Sequence, residues 1–90
     1  MTINNLYTRE PAEIVMYSVD WCPDCKRAKF FFKRNNIAVL EVNVDADERG
    51  AAFVREINSG ARSVPTIIFP DGSVLVEPSA EELTKRFSRS

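Results

Sequence analysis

Short apolar runs alternate with helix-forming stretches along this chain, and that alternation constrains its fold more than any other feature. Residues 14–17 form an apolar run typical of a buried strand, and strong helix formers follow from Lys26 to a closing Asn-Asn pair. Residues 37–44 predict a second strand. After it, residues 45–47 supply side-chain oxygens that can cap a second helix, which runs to about residue 58.

The last third of the chain departs from this alternation, because two strand-like runs follow each other directly. Residues 66–69 and 74–76 are β-rich, and the Pro-Asp-Gly-Ser between them is strong turn chemistry for a hairpin. A third helix begins after Ser79, with acidic residues in its first turn and cations in its last. The order βαβαββα predicts an α/β fold: one domain over residues 1–90, with residues 1–13 as a lead-in and a mixed four-stranded sheet flanked by helices.

Composition limits what a chain of 90 residues can do. A formal net charge of −1 offers no field that attracts phosphates, and no apolar run approaches the ~20 residues of a membrane span, so neither nucleic acid nor a membrane is an expected partner. The lack of histidine excludes histidine-based catalysis, and two cysteines are too few for a four-thiolate zinc site or a multi-disulfide scaffold. No signal-peptide pattern is visible, and we expect a monomer in a reducing cytoplasm with no bound metal.

Cys22 and Cys25 carry the strongest functional signal. They stand three positions apart at the predicted start of the first helix, where unpaired N–H groups and the helix dipole favour a thiolate. A CxxC pair in a βαβ context is typical of redox chemistry. We predict that Cys22 is the nucleophile, because it precedes the helix and should be the more exposed, and that Cys25 resolves a mixed disulfide from the first turn.

The residues around the two cysteines act on them in opposite directions. Pro23 stiffens the loop, and the Asp24 carboxylate opposes thiolate formation, whereas Lys26 and Arg27 favour it from within one turn. These charges alone therefore do not decide whether the pKa of the cysteine thiols is raised or lowered. Two other interpretations of the pair also stay open: half of a metal site shared between two chains, and a packing or regulatory pair in a binding module.

Aromatic residues lie close to the cysteines in the sequence. Trp21 is the only tryptophan and immediately precedes Cys22, so it either offers a docking partner an apolar wall or covers the core. The phenylalanines at positions 30–32 must point in different directions on a helix, which leaves one ring partly exposed; we interpret them as core residues rather than a binding site. Val64-Pro65 is an X-Pro bond at the entry to a strand, for which the base rate favours trans.

Three motifs in this element order resemble the glutaredoxins of the thioredoxin-fold superfamily. They are WCPDC after a short strand, SVPT before the next strand and DGS in the hairpin. The resemblance covers residues 14–87. Within the family the chain is most similar to the mycoredoxin-type branch of actinobacteria, through GxRSVPT and DGSxLxxPSxxEL, and NrdH-like redoxins are the nearest alternative.

The resemblance implies roles for particular positions. Cys22 takes the small thiol as a mixed disulfide, and Cys25 resolves it. Pro65 matches the family's cis-proline, which changes our expectation for this bond from trans to cis. Val64 beside it offers backbone hydrogen bonds to the bound thiol.

Other residues near the cysteines are predicted to contact that thiol. Ser79 and Ala80 fall where glutaredoxins hold a glutathione carboxylate at a helix N-terminus, and Arg62 could grip a second anionic or polar part of the ligand. The complete set of predicted thiol-binding residues is Trp21, Pro23, Asp24, Arg62, Val64, Pro65, Ser79 and Ala80.

Departures from the family pattern bear on which thiol is used. Glutathione-dependent members usually have Lys three residues before the nucleophile, where this chain has Val19, and Gly-Gly…Asp-Asp where it has residues 77–80. The central Pro-Asp of the CxxC also replaces Pro-Tyr. These differences fit a small thiol other than glutathione, such as mycothiol, or direct reduction of protein disulfides with electrons from a flavoprotein reductase.

The resemblance therefore implies an enzyme that reduces mixed disulfides between proteins and a low-molecular-weight thiol. That thiol, mycothiol or glutathione, is its co-substrate, and no tightly bound cofactor is expected. A first alternative is an NrdH- or thioredoxin-like dithiol reductase of protein disulfides, which receives electrons from a flavoprotein reductase. A second is a dimer bridged by an iron–sulfur cluster.

Overall fold

The computed structural model describes residues 6–88, and over this range it confirms the predicted order of elements. Residues 1–5 of the predicted lead-in lie outside the described residues, and residues 6–14 contain no helix or strand. The strands are β1 (Val15–Ser18), β2 (Leu40–Asn43), β3 (Thr66–Ile68) and β4 (Val74–Val76), and the helices are α1 (Pro23–Arg34), α2 (Glu48–Ile57) and α3 (Ala80–Phe87).

The four strands form the predicted mixed sheet, and their order in it is β2-β1-β3-β4. β1 pairs in parallel with β2. A parallel pair needs a crossover connection, and α1 forms it. β3 runs antiparallel to β1 and to β4, with which it forms the predicted hairpin. Gly72 provides the positive φ of 87° that the tight turn between β3 and β4 requires.

The second strand is shorter than the predicted residues 37–44, because its partner limits it. β2 pairs with the four residues of β1, and the Leu40 and Val44 N–H groups close the ladder on the carbonyls of Ile14 and Ser18, at 2.9 Å each. The residues before β2 belong to the end of α1 instead: the Ile37 N–H donates to the carbonyl of Phe32 at 2.9 Å.

The hydrophobic core lies on both faces of the sheet, because β1 points successive side chains to opposite sides. Val15 and Tyr17 pack with residues of α2 on one face, and Met16 packs with residues of α1 and α3 on the other. Both cysteines belong to the α2-side cluster. None of the helices between residues 6 and 88 is long and apolar enough to cross a bilayer.

The prediction that one of the rings at positions 30–32 is left exposed is confirmed, and the interpretation of all three as core residues does not hold for that ring. Phe32 is buried and Phe31 is half-buried against Phe87, but the Phe30 ring is 63% exposed. The reason is helix geometry: successive side chains are about 100° apart, so three in a row cannot share the face that meets the sheet.

Candidate active site

Cys22 lies in the connection between β1 and α1, beyond the carboxyl end of β1. Pro23 is the first helical residue, where a missing N–H removes no intrahelical hydrogen bond, so the helix begins directly after Cys22. Cys22 is therefore the N-cap, but its side chain forms no capping hydrogen bond. Both cysteines are free thiols, and the 9% exposure of Cys22 against 0% for Cys25 confirms the predicted order of accessibility.

Cys25 is a neutral thiol in this environment. Burial is the main cause that raises the pKa of Cys25 to about 11, and the neighbouring Cys22 acts in the same direction through a hydrogen bond and its charge. A backbone hydrogen bond from Val19 and the positive charge of Lys29 only partly oppose this rise. At neutral pH Cys25 keeps its proton, which leaves the more accessible Cys22 positioned to react first.

The loop before β3 lies against the first cysteine. Its Val64–Pro65 peptide bond is cis, which confirms the expectation drawn from the family resemblance. Cys22 Sγ is 3.9 Å from the Val64 carbonyl oxygen, a long contact in which the thiol donates. A hydrogen bond holds the end of this loop to the residue after α2: the Thr66 hydroxyl accepts from the Asn58 side-chain amide at 3.0 Å.

Trp21 and Arg62 meet at one carboxylate beside the cysteines. The Trp21 side chain is 67% exposed, so it lies on the surface next to Cys22 rather than over the core. Its Nε1 donates to Asp45 Oδ2 at 2.8 Å, and Arg62 Nη2 donates to Asp45 Oδ1 at 2.6 Å. These hydrogen bonds, from Arg62 first and Trp21 second, lower the pKa of Asp45 below its ordinary value. Asp45 therefore stays ionised and connects the two sides of the site.

Residues 14–75, which span β1 to β4 and include both cysteines and the cis-proline, match the family model for glutaredoxin. The chain belongs to the glutaredoxin family. A protein of Mycobacterium tuberculosis that is named as a glutaredoxin is 42% identical over 72 residues, which are 80% of this chain and 86% of that protein. Mycoredoxin 1 of Corynebacterium glutamicum is 31% identical over 72 residues, 80% of this chain and 89% of its own.

Solved structures share the fold of this glutaredoxin. The glutaredoxin from Archaeoglobus fulgidus has a TM-score of 0.70 and 29% identity, covering 91% of this chain and 92% of that one. A thioredoxin-like protein has a TM-score of 0.70 and 30% identity, covering 81% of this chain and 97% of its own. The protein is a thiol–disulfide oxidoreductase of this family, and its substrates are thiols and disulfides.

Several of the charges that flank the glutaredoxin cysteines are paired. Asp24 Oδ1 is 2.8 Å from Arg27 Nη1 across one helical turn, so the predicted opposition between these two charges becomes a local cancellation near Cys22. Lys29 Nζ lies 3.7 Å from the carboxylate of Asp20. Among residues 6–88, no group of three Cys, Asp or Glu side chains is arranged to hold a metal ion.

The N-terminus of α3 satisfies its own hydrogen bonds. The Ser79 hydroxyl accepts from the Glu82 N–H at 3.1 Å, and the Ser79 N–H donates to Glu82 Oε1 at 3.0 Å, which is a complete capping box. Ala80 lines a groove of about 590 Å³ between α1 and α3, together with Phe30 and Arg34. A substrate carboxylate at Ser79 would meet the Glu82 carboxylate, and the thiol-binding role of Ser79 and Ala80 stays a prediction.

Sequence reasoning missed the place of Asp45 in this glutaredoxin. It treated Asp45 as one of two possible caps for the second helix, but Asp47 is the cap, and its Oδ1 accepts from the Arg49 N–H at 3.1 Å. A usable signal was present, because Asp45 follows a strand parallel to β1. The carboxyl ends of parallel strands lie at the same edge of a sheet, so Asp45 and Cys22 emerge there together.

Proposed function

We propose that this glutaredoxin reduces mixed disulfides between proteins and a low-molecular-weight thiol, mycothiol or glutathione, with Cys22 as nucleophile and Cys25 as resolving thiol. The asymmetry of the cysteine pair carries the proposal. Cys22 lies at a helix N-terminus with its side chain uncommitted to capping, whereas Cys25 is buried and protonated. A nucleophile must be reached by its substrate, but a resolving thiol needs to reach only its neighbour.

In the first exchange, the Cys22 thiolate attacks the small-thiol sulfur of the mixed disulfide. A new S–S bond forms between Cys22 and the small thiol, the old S–S bond breaks, and the substrate protein's sulfur leaves as a thiolate that takes up a proton. A second small thiol, as its thiolate, then attacks the sulfur of the bound one. A new S–S bond forms between the two small thiols, and the Cys22 thiolate is released. The net reaction converts the mixed disulfide and one free small thiol into a protein thiol and the symmetrical disulfide of the small thiol.

Cys25 offers a second route out of the same intermediate. Its thiolate attacks the Cys22 sulfur, forms the intramolecular disulfide and releases the small thiol. This route is restrained, because burial, the main cause that raises the pKa of Cys25, still acts in the intermediate, although the contribution of a free Cys22 is lost there. We therefore propose that the one-cysteine route dominates wherever free small thiol is abundant, as in a reducing cytoplasm.

A dithiol reductase of protein disulfides is the second candidate. The exposed Trp21 ring favours it, because an apolar aromatic surface adjacent to the nucleophile suits contact with a protein substrate better than contact with a small thiol. In this alternative both cysteines are required in every cycle. A flavoprotein reductase would return the electrons to the Cys22–Cys25 disulfide.

A trapping experiment distinguishes the two. The Cys25→Ser variant is expressed in the native host, quenched with acid and analysed by intact-mass spectrometry. Because the variant lacks the resolving thiol, the intermediate on Cys22 accumulates, and we expect one discrete adduct whose mass identifies the small thiol. The Cys22→Ser variant is the matched control and should carry none.

Other outcomes count against the proposal. Adducts of Cys22 mainly to whole proteins would favour the dithiol reductase. An unmodified Cys22 would contradict the redox assignment of the cysteine pair.

A further inference from the structure

The carboxylate of Asp45 uses both of its oxygens on residues of the active site. One accepts from the Trp21 indole at 2.8 Å, and the other accepts from the Arg62 guanidinium at 2.6 Å. The backbone holds the carboxylate in place, because the Asp45 N–H donates to Asn43 Oδ1 at 2.9 Å. This three-residue set, Trp21, Asp45 and Arg62, is called the Asp45 bridge below.

The Asp45 bridge spans both flanks of the reactive sulfur. Trp21 is the residue before Cys22, and Arg62 comes two residues before Val64, whose carbonyl lies 3.9 Å from Cys22 Sγ. The Arg62 guanidinium is linked through the Asp45 carboxylate to the indole of Trp21, the residue next to Cys22, so it is the cation that this bridge offers to a substituent of a disulfide at Cys22. In the free protein the positive charge of Arg62 is already neutralised by Asp45.

A substrate carboxylate beside Arg62 has an energetic cost that an uncharged group does not have. To pair with Arg62 it must displace Asp45, or it must share one guanidinium with a second carboxylate that repels it. An uncharged substituent, such as a hydroxyl, has neither cost and can accept from the guanidinium donors that Asp45 leaves unused. The difference acts on the substrate group and not on the sulfur chemistry.

We propose that Asp45 is a specificity-determining residue that occupies Arg62 and so disfavours disulfides carrying a carboxylate close to the sulfur, relative to uncharged ones. The inference rests on the proposed function, because it assigns the charge preference of the same Cys22 site. It concerns a ratio of two rates, so it does not depend on how reactive the Cys22 sulfur itself is.

A matched pair of small disulfides tests this preference. All variants are made in the Cys25→Ser background, so that Cys22 is the only thiol, and adduct formation is followed by intact-mass spectrometry. The probes are bis(2-hydroxyethyl) disulfide, which is uncharged, and 3,3′-dithiodipropionate, which carries two carboxylates. For each variant the measured quantity is the rate constant with the anionic probe divided by that with the uncharged probe.

We expect Asp45→Asn to raise this ratio about fivefold, the size expected of a partly exposed ion pair that becomes available to substrate. The side chain keeps its shape and can still accept from the Trp21 indole. Asp20→Asn is the control, because it removes the same charge two residues before Cys22, where Asp20 contacts Lys29 and Asn43 instead of Arg62. It should change the ratio by less than half as much. The double variant Asp45→Asn with Arg62→Gln should return the ratio to that of the parent.

Two results would overturn the inference: an unchanged ratio in Asp45→Asn, or an equal rise in Asp20→Asn, which would indicate a general charge effect. Failure of the proposed function is a separate observation. It would appear as absent turnover of mixed disulfides in the presence of free small thiol, whereas the stoichiometric attack of Cys22 on the two probes would still give the ratio.

Discussion

Cys22 and Cys25 stand only three residues apart, but their surroundings give the two thiols different exposure and make Cys25 hard to ionise. Cys25 is fully buried and its pKa is raised to about 11, whereas Cys22 keeps 9% of its surface exposed and lies in contact range of the Val64 carbonyl. The order of accessibility could be predicted from the sequence, because the residue that precedes a helix is less covered than one in its first turn. The proton on Cys25 could not, because it depends on tertiary burial beside Val19 and Lys29.

The first prediction concerns the pH dependence of Cys25 alkylation. In the Cys22→Ser variant, iodoacetamide should modify Cys25 much more slowly at pH 8 than it modifies an ordinary exposed thiol. The cause is that a raised pKa leaves little thiolate below it, so the rate should climb as the pH rises toward the folded-state pKa. Mass spectrometry of timed samples between pH 7 and about pH 10 measures this.

Unfolding provides the control for this first prediction. In concentrated urea the same Cys25 should react like a model thiol, because desolvation is the main cause of the shift and is lost with the core. A Cys25 that alkylates at pH 8 as fast in the native state as in urea would show that burial does not hold its proton.

At the scale of elements, local signals predicted helix starts well and strand lengths poorly. The α3 start is predicted at Ser79 from the acidic residues that follow it and the cations in the last turn, and the structure adds a complete capping box there. The bounds of β2, and its start above all, could not be predicted in this way, since they depend on where β1 offers partners. Helix geometry predicts that one of the rings at positions 30–32 is exposed, but that this ring is Phe30 depends on which face of α1 meets the sheet.

The capping box gives a stability prediction. Replacing Ser79 with Ala removes the acceptor of the Glu82 N–H and should lower the free energy of unfolding by about 1 kcal/mol, measured by urea denaturation. Ser63→Ala is the matched control, because within residues 6–88 no hydrogen bond of the Ser63 hydroxyl is found. Equal stabilities for the two variants would show that the box contributes little to the fold.

The whole molecule assembles its site from segments far apart in the chain. Trp21 and Arg62 reach Asp45 across 24 and 17 residues. The Trp21 contact depends on the parallel pairing of β1 with β2, and the Arg62 contact depends also on the antiparallel pairing of β3 with β1. The sequence predicted the cysteine pair and the cis-proline loop because each is carried by a short motif. The sequence did not predict the Asp45 bridge, since no local pattern indicates contacts that arise only when the strands pair in the sheet.

The most direct test of the account is turnover of a peptide mixed disulfide, with free small thiol as reductant, by the wild-type protein and its two single-cysteine variants. The account predicts that Cys25→Ser retains turnover, because a second small thiol completes the cycle, and that Cys22→Ser falls to the rate of the free thiol alone. Loss of turnover in Cys25→Ser as complete as in Cys22→Ser would replace the one-cysteine route with the dithiol route. Wild-type turnover by Cys22→Ser would contradict the assignment of Cys22 as the nucleophile.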